Sequence, residues 1–144
     1  MAFRSAPYIL CVLLAIPHAS IAGETLDAAA MDEMHEHFSE AYSRGDLDAM
    51  AATFAEDAVR VTPSGIFQGR DAIRRSFSDA IKLGLHDYSV QRTVSRPEGS
   101  FVFNAGTWQA KVGDRPFRGY YSSILTSESG KPKIIEETVS VAAP

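Results

Sequence analysis

Apolar residues recur at helical spacing in three stretches of the chain. Met31, Met34, Phe38 and Tyr42 are three or four residues apart, which is the spacing of one buried helix face over residues 26–43. Two later stretches repeat the pattern, with apolar faces formed by Leu47, Met50, Ala51 and Phe54 and by Ile73, Phe77 and Ile81. The pattern therefore predicts three helices.

Residues that favour helix ends separate these stretches. Gly45 is suited to a left-handed helix end, and Asp46 is suited to cap the next helix, which we expect to end near Phe54. Asp71 is the expected N-cap of a third helix that ends near Leu83.

The second half of the chain has the composition of strands. Its four segments are rich in Val, Ile, Phe, Tyr and Thr and are separated by turn residues; they span 86–95, 100–112, 116–127 and 132–141. A shorter strand is expected over Val59–Thr62, where Pro63 ends it. Three helices followed by a four-strand meander predict an α+β fold.

Residues 1–22 have the features of a secretory signal peptide. Arg4 precedes an apolar run over Tyr8–Ile16, and Ser20-Ile21-Ala22 forms a small-x-small cleavage site. The run is shorter than the roughly 20 apolar residues of a membrane span, so cleavage leaves no stable membrane anchor; the alternative is an uncleaved N-terminal anchor. We expect an exported domain over residues 23–144, periplasmic if the source is bacterial and otherwise secreted.

The composition excludes several kinds of site. The single cysteine, Cys11, lies in the predicted signal peptide, so the mature chain has no disulfide and no thiol nucleophile. The chain has 14 basic and 18 acidic residues and no basic run, which argues against a nucleic-acid partner. His35 and His37 are two residues apart on a helix and point in different directions, so we expect no metal. No cofactor is expected either.

The helix–cap–helix–strand run over Gly45–Pro63 and the following segment Phe67–Ile73 resemble a known family. They are similar to the SnoaL-like and ketosteroid isomerase-like branch of the nuclear transport factor two-like superfamily. The resemblance implies a cone-shaped, cystatin-like cup, in which three N-terminal helices pack on a strongly curved, mostly antiparallel sheet around one pocket. The superfamily includes enzymes, binding proteins and assembly domains, so the fold alone does not give the function.

The resemblance also maps the catalytic groups of the isomerases onto this chain. Thr62 occupies the position of the carboxylate base, Phe38 that of the tyrosine donor, and Ser122 that of the protonated acid. A threonine hydroxyl is too weak an acid to act as a base, and phenylalanine has no donor. We therefore do not expect steroid isomerisation.

Side-chain alternation, with the parity that the resemblance implies, gives the other inward groups. Arg60 and Glu137 are expected inside, which is unusual for ionisable residues in an apolar cup. Three interpretations stay open: a structural salt bridge, an anion-binding arginine oriented by Glu137, and Glu137 as a general base. The predicted ligand-binding residues are Phe38, Tyr42, Arg60, Thr62, Phe77, Phe103, Thr107, Arg118, Tyr120 and Ser122.

The leading hypothesis is an exported small-molecule pocket protein that binds a small hydrophobic or acidic ligand. One alternative is an isomerase, cyclase or hydratase with Glu137 as catalytic base, and another is a structural or oligomer-assembly domain. By the same parity Val102 and Trp108 lie outside the cup, where they are expected to contribute to a homodimer.

Overall fold

The computed structural model describes residues 26–142, which form three helices packed on one face of a six-stranded sheet. The predicted signal peptide lies outside these residues. The elements are α1 (Ala28–Arg44), α2 (Leu47–Ala52), β1 (Phe54–Thr62), β2 (Gly65–Gln68), α3 (Arg70–Lys82), β3 (Leu85–Glu98), β4 (Phe101–Val112), β5 (Arg115–Glu128) and β6 (Lys131–Val141). Within the described part of the chain, no helix is long and apolar enough to cross a membrane.

The strand order is β2-β1-β6-β5-β4-β3, and the sheet is curved and open. Strands β3 to β6 form the predicted antiparallel meander, β1 and β2 form a hairpin, and β1 joins β6 in parallel. The predicted α+β fold, with three helices on a mostly antiparallel sheet, is confirmed.

The ends of α1 and α2 agree with the sequence. Gly45 has a left-handed conformation with φ of 66°, and its N–H is donated to the carbonyls of Ala41 and Tyr42. Asp46 caps α2 by accepting a hydrogen bond from the N–H of Ala49 at 3.0 Å. The predicted N-cap Asp71 is wrong: α3 begins at Arg70, and its N-cap is Gly69, whose N–H is held by the carbonyl of Ala58 at 2.8 Å.

The two aspartates give a matched test of helix capping. Asp46→Ala removes a side-chain cap and is expected to lower the free energy of unfolding by about 1 kcal/mol. Asp71→Ala removes the same charge from a first helical turn without removing a cap, and about 0.3 kcal/mol is expected. Urea denaturation of both variants measures the difference. Equal losses would show that charge, rather than capping, accounts for the effect of Asp46.

Two strand predictions need correction. Phe54 was expected on the apolar face of the second helix, but that helix ends at Ala52 and β1 begins at Phe54, ahead of the predicted Val59. Pairing with β6 causes the early start, because the N–H of Ile134 is donated to the carbonyl of Thr53 at 3.0 Å. Strand β2 was not predicted, and β3 continues to Glu98 through a segment where a turn was expected.

The predicted apolar faces of α1 and α3 form the core. Met31, Met34, Phe38 and Tyr42 are all buried, together with Phe77 and a further set comprising Ala41, Met50, Phe54, Ala55, Ala58, Ile73, Val102, Leu125 and Ile134. A second apolar cluster on the same side of the sheet contains Trp108, Ala110 and Tyr121. The helices therefore fill most of the concave side.

The predicted parity of β4 and β5 is wrong. The face towards α1 is identified by Asn104, which donates to Met31, and by Tyr121, whose ring centroid is 6.0 Å from that of His35. This inner face carries Val102, Asn104, Trp108, Ala110, Tyr121, Ser123 and Leu125. The residues predicted to point inward lie on the outer face: Phe103, Thr107, Arg118, Tyr120 and Ser122.

The physical reason is that a one-residue error in register moves every side chain of a strand to the other face. The β4–β5 pairing itself has no bulge, whereas β3 has an extra residue between Arg92 and Val94 and β6 has one between Ile134 and Glu136. Val102 and Trp108 consequently belong to the core and cannot form the expected dimer contact.

Candidate functional site

Four polar residues lie side by side across the inner face of the sheet. Arg60 on β1 is directly opposite Glu137 on β6, which is opposite Ser123 on β5, which is opposite Asn104 on β4. We call these four residues the polar row. Their neighbours on the same face are mainly apolar, so the row is the main polar feature of the concave side.

Arg60 and Glu137 form an ion pair inside the cup. The Nε of Arg60 donates to Oε2 of Glu137 at 2.7 Å, and the two side chains are only 14% and 12% exposed. Arg60 also donates to Oγ of Ser76 at 3.1 Å and lies 4.4 Å from the ring centroid of Phe77. Of the three interpretations that the sequence left open, the structure contains the salt bridge.

A small cavity lies between α1 and the polar row. Its volume is about 20 Å³, which is enough for about one water molecule. Glu137 and Ser123 contribute to its wall, and the other lining residues are His35, Phe38, Thr53, Tyr88, Val90, Tyr121 and Ile134.

Aromatic side chains occupy the rest of the cup. Phe38 packs against Phe77 with ring centroids 5.4 Å apart, and Tyr42 stacks on Tyr88 at 4.7 Å. Tyr88 in turn stacks on Trp108 at 6.4 Å. The predicted pocket residues Phe38, Tyr42 and Phe77 are therefore inside, but they pack against one another.

Several buried polar atoms near the cavity have no hydrogen-bond partner within residues 26–142. They are the hydroxyls of Tyr42, Tyr121 and Ser123, the Oδ1 of Asn104, and the Nη1 of Arg92, whose Nη2 pairs with Asp32 at 2.6 Å. Leaving a buried polar group without a partner costs about 1–3 kcal/mol. Such groups are rare in native proteins and each requires an explanation, such as a water molecule or a ligand.

The ionisable groups around the cavity are neutral or paired near pH 7. Burial raises the pKa of Tyr42 and of Tyr121 to about 12. Burial and then the Glu137 carboxylate raise the pKa of Tyr88, so all three phenols stay protonated. Burial and the positive charge of Arg92 lower the pKa of His35 and favour its neutral form. The cup therefore presents hydrogen-bonding groups with little net charge.

The remaining predicted residue, Thr62, lies at the β1–β2 turn. Its hydroxyl is 2.8 Å from that of Ser64, and it does not line the cavity. The residue pattern does not predict the inward positions of His35, Tyr88, Asn104, Tyr121 and Ser123. Only His35 has a local signal in the sequence. It precedes Phe38 by one helical turn, and this spacing places the two side chains on the same side of the helix. Across residues 26–142, no group of three or more His, Cys, Asp or Glu side chains is arranged to hold a metal ion.

Comparison with known proteins identifies the domain. The family profile of the SnoaL-like domain matches residues 35–136. A protein of unknown function with a cystatin-like fold from Nostoc punctiforme aligns over 81% of this chain and 91% of its own, with 16% identity and a TM-score of 0.71. A ketosteroid isomerase-like protein from Erwinia carotovora aligns over 81% and 96%, with 16% identity and a TM-score of 0.68.

An NTF-2-like protein of unknown function from Shewanella oneidensis aligns over 80% of this chain and 99% of its own, with 14% identity and a TM-score of 0.70. At these identities the likeness shows the fold alone. No curated protein matches the sequence.

Proposed function

The chain belongs to the SnoaL-like domain family, and on this premise we propose that it is a small-molecule binding protein whose cup takes an uncharged, mainly apolar ligand. The observation that carries the proposal is that the hydroxyls of Tyr121 and Ser123, two residues that line the cavity, are buried without a hydrogen-bond partner. A ligand hydroxyl or carbonyl can supply the missing hydrogen bonds. An apolar scaffold would gain stability by replacing these side chains with aliphatic ones.

The charge of the cup supports an uncharged ligand over the acidic one that the sequence suggested. Arg60 is the only cation of the polar row, and Glu137 already neutralises it. A ligand carboxylate would lose its hydration without gaining a free cation, which is costly in a buried site. A neutral head group meets the phenols of Tyr88 and Tyr121, the hydroxyl of Ser123 and the imidazole of His35, beside a Glu137 carboxylate that Arg60 already pairs.

The volume of the cavity limits the ligand in the described conformation. About 20 Å³ accommodates a head group, and a larger ligand requires the aromatic side chains of Phe38 and Tyr88 to rotate or α1 to move away from the sheet. The apolar body of the ligand would then replace these aromatic contacts.

Export of the protein stays a prediction from the N-terminal sequence.

A fluorescence titration tests the proposal. Trp108 is the single tryptophan and stacks on Tyr88 at the cavity wall, so it reports on the cup. Cyclohexanol and cyclohexanone should change its emission saturably, and cyclohexanecarboxylate at pH 7 should not. Ser123→Ala removes one hydrogen bond and should weaken binding about fivefold.

The neighbouring serine provides the control, because Ser122→Ala changes the outer face and should leave the affinity unchanged. Native mass spectrometry of the protein purified from its own host should in addition reveal a retained neutral compound. A protein that retains nothing and gives no saturable response to either neutral probe would refute ligand binding in the cup.

The filled cup favours one other candidate function, an oligomer-assembly domain. Catalysis by Glu137 has less support, since its Oε2 accepts a hydrogen bond from Arg60.

The outer face carries an uncharged row across all six strands, formed by Ile66, Val61, Thr138, Ser122, Ala105 and Val94. Ile66 is 74% exposed and Tyr120, next to this row, is 62% exposed. We propose that this face joins two copies into a homodimer.

Sedimentation of the purified protein tests the dimer. The wild type is expected to sediment as a dimer at micromolar concentration, and Ser122→Glu as a monomer, because it places two like charges in the middle of an apolar interface. The far-UV circular dichroism of the variant should equal that of the wild type. A monomeric wild type would exclude this interface, and a stable dimer that binds no probe would favour the assembly role.

A further inference from the structure

The N-terminal half of α1, Ala28–His35, contacts strands β3 and β4 through two weak polar interactions. Arg92 on β3 donates from Nη2 to Oδ1 of Asp32 at 2.6 Å, but the Asp32 side chain is 66% exposed, so solvent screens this ion pair. Asn104 on β4 donates to Sδ of Met31 at 3.3 Å, and a thioether is a weak acceptor. Polar contacts therefore hold this half of the helix only weakly.

His35 is the residue of this segment that covers the cavity beside the polar row. Its imidazole meets the ring of Tyr121 on β5 edge-on, with the centroids 6.0 Å apart. No other residue of Ala28–His35 lines the cavity. Movement of the segment away from the sheet would therefore remove one wall of the cavity, and Phe38 and the strands would keep the others.

The three strand residues beneath this segment each have a buried polar atom without a hydrogen-bond partner in the described part of the chain. They are Arg92 with Nη1, Asn104 with Oδ1 and Tyr121 with its hydroxyl. All three lie on the inner face, because Arg92 is opposite Gly106 and Gly106 is opposite Tyr121. Water would reach these atoms if the segment moved away, so the undocked arrangement gains hydrogen bonds that the docked one lacks.

The C-terminal half of α1 is packed more firmly. Phe38 lies against Phe77 with ring centroids 5.4 Å apart, and Tyr42 stacks on Tyr88 at 4.7 Å. Among the described side chains of this half, the hydroxyl of Tyr42 is the one buried polar atom without a partner. These aromatic contacts would keep the C-terminal half in place while the N-terminal half moves.

Two methionines oppose that movement. Met31 and Met34 are only 3% and 8% exposed, so undocking would transfer both side chains to water. Their burial keeps the segment docked at neutral pH. An opening signal must therefore act on the docked arrangement itself.

The charges around His35 provide such a signal. Burial and then the positive charge of Arg92 lower the pKa of His35, and the Asp32 carboxylate on the same helix acts in the opposite direction. The other titratable groups that face it line the same cavity: Tyr88 on β3, Tyr121 on β5 and Glu137 on β6. The phenols are neutral, and Glu137 is paired with Arg60. A proton on His35 is thus disfavoured while the segment is docked and is accepted once the imidazole reaches water.

We propose that Ala28–His35 is a lid over the cavity and that it opens when His35 takes up a proton. The inference rests on the proposed function, because the lid controls entry to the same cavity, but its opening needs no ligand. The ordinary pKa of histidine is 6.5, and that of docked His35 is lower, so docking is unaffected above about pH 6.5. Below that pH docking weakens, until the pH has passed the lower pKa of docked His35.

Hydrogen exchange of the ligand-free protein tests the lid. The rates are expressed as protection factors, which remove the pH dependence of the chemical exchange step. From pH 7.5 to pH 5.0 the protection of the amides of residues 32–35 should fall several-fold, by at most about tenfold for each pH unit, because one proton is taken up. The amides of residues 121–123 in the central strand β5 should keep their protection.

Two histidine variants identify the group that titrates. His35→Gln cannot take up a proton and should show the same lid protection at both pH values; His35→Asn replaces it if the first variant fails to fold. His37→Gln is the matched control. His37 is exposed on the same helix and lies 4.0 Å from Glu33 rather than against the sheet, so the pH dependence should stay.

Three results would each overturn the inference. They are lid protection that does not depend on pH, a pH dependence that persists without the His35 imidazole, and an equal loss of protection in β5, which would indicate unfolding of the whole domain. Failure of the neutral probes to bind at pH 7 would refute the proposed function and would not alter the exchange results. The two failures are therefore distinguishable.

Discussion

Glu137→Ala is expected to lower the free energy of unfolding by about 3–5 kcal/mol, because it leaves the guanidinium of Arg60 buried without its carboxylate. The hydrogen bond from Arg60 to Ser76 stays possible, but a hydroxyl cannot balance a positive charge. Unfolding in urea, followed by circular dichroism, measures the loss. The midpoint should decrease strongly while the slope stays similar.

Glu136→Ala is the control for this experiment. Glu136 precedes Glu137, is exposed, and lies on the outer face, so its replacement should change the stability by less than about 0.5 kcal/mol. Similar effects of the two substitutions would contradict the register of β6. The double variant Arg60→Met and Glu137→Leu should be more stable than Glu137→Ala, since no unpaired charge is left. The comparison would separate the free energy that the ion pair contributes from the cost of burying an unpaired charge.

The stability of the ion pair also bears on function. From the sequence, Arg60→Ala would be expected to remove ligand binding and leave the fold intact. The structure makes Arg60 part of the folded core, where it contacts Glu137, Ser76 and Phe77. A loss of binding in this variant would therefore not identify a ligand contact. Ser123 is a better probe, because no hydrogen bond to its side chain supports the fold.

The helices could be predicted because their signals are local. The spacing of Met31, Met34, Phe38 and Tyr42 specifies the buried face of α1, and Gly45 with Asp46 specifies the boundary with α2. These residues act within one or two helical turns, so a short stretch of the sequence contains all the information that the prediction needs. The same reasoning failed at Phe54, where pairing with β6 overrides the helical spacing.

The site could be predicted only in part because strand register is not local. Arg60 and Glu137 could be identified from the sequence because they are charged residues on otherwise apolar strands, and both side chains lie inside the cup. Their partners in the polar row, Ser123 and Asn104, follow from the pairing of β4, β5 and β6, which the residue pattern does not specify. For the neighbouring serines, strand parity alone decides which hydroxyl faces the cavity. The resemblance implied Ser122, whereas Ser123 is the serine inside.

Gly119→Ala is expected to lower the free energy of unfolding by about 2–4 kcal/mol, because the inner face of β5 has no room for a side chain there. The indole of Trp108 reaches across β5 and donates its Nε1–H to the carbonyl of Ser140 on β6 at 2.9 Å. A Cβ atom on Gly119 would overlap that carbonyl oxygen and lie 2.6 Å from Nε1 of Trp108. The indole must move, and its hydrogen bond is lost.

Two measurements isolate this effect from the general cost of replacing a glycine. Gly113→Ala affects a turn residue with φ of 57° and no atom within 4 Å of the added Cβ, so only backbone strain of about 1 kcal/mol is expected. The fluorescence emission of Trp108 should shift to longer wavelength in Gly119→Ala alone, because displacement exposes the indole to water. A Gly119→Ala variant no less stable than Gly113→Ala, with unchanged emission, would contradict the packing of Trp108 over β5. It would also remove Trp108 as a reporter of the cup, since its emission depends on that position.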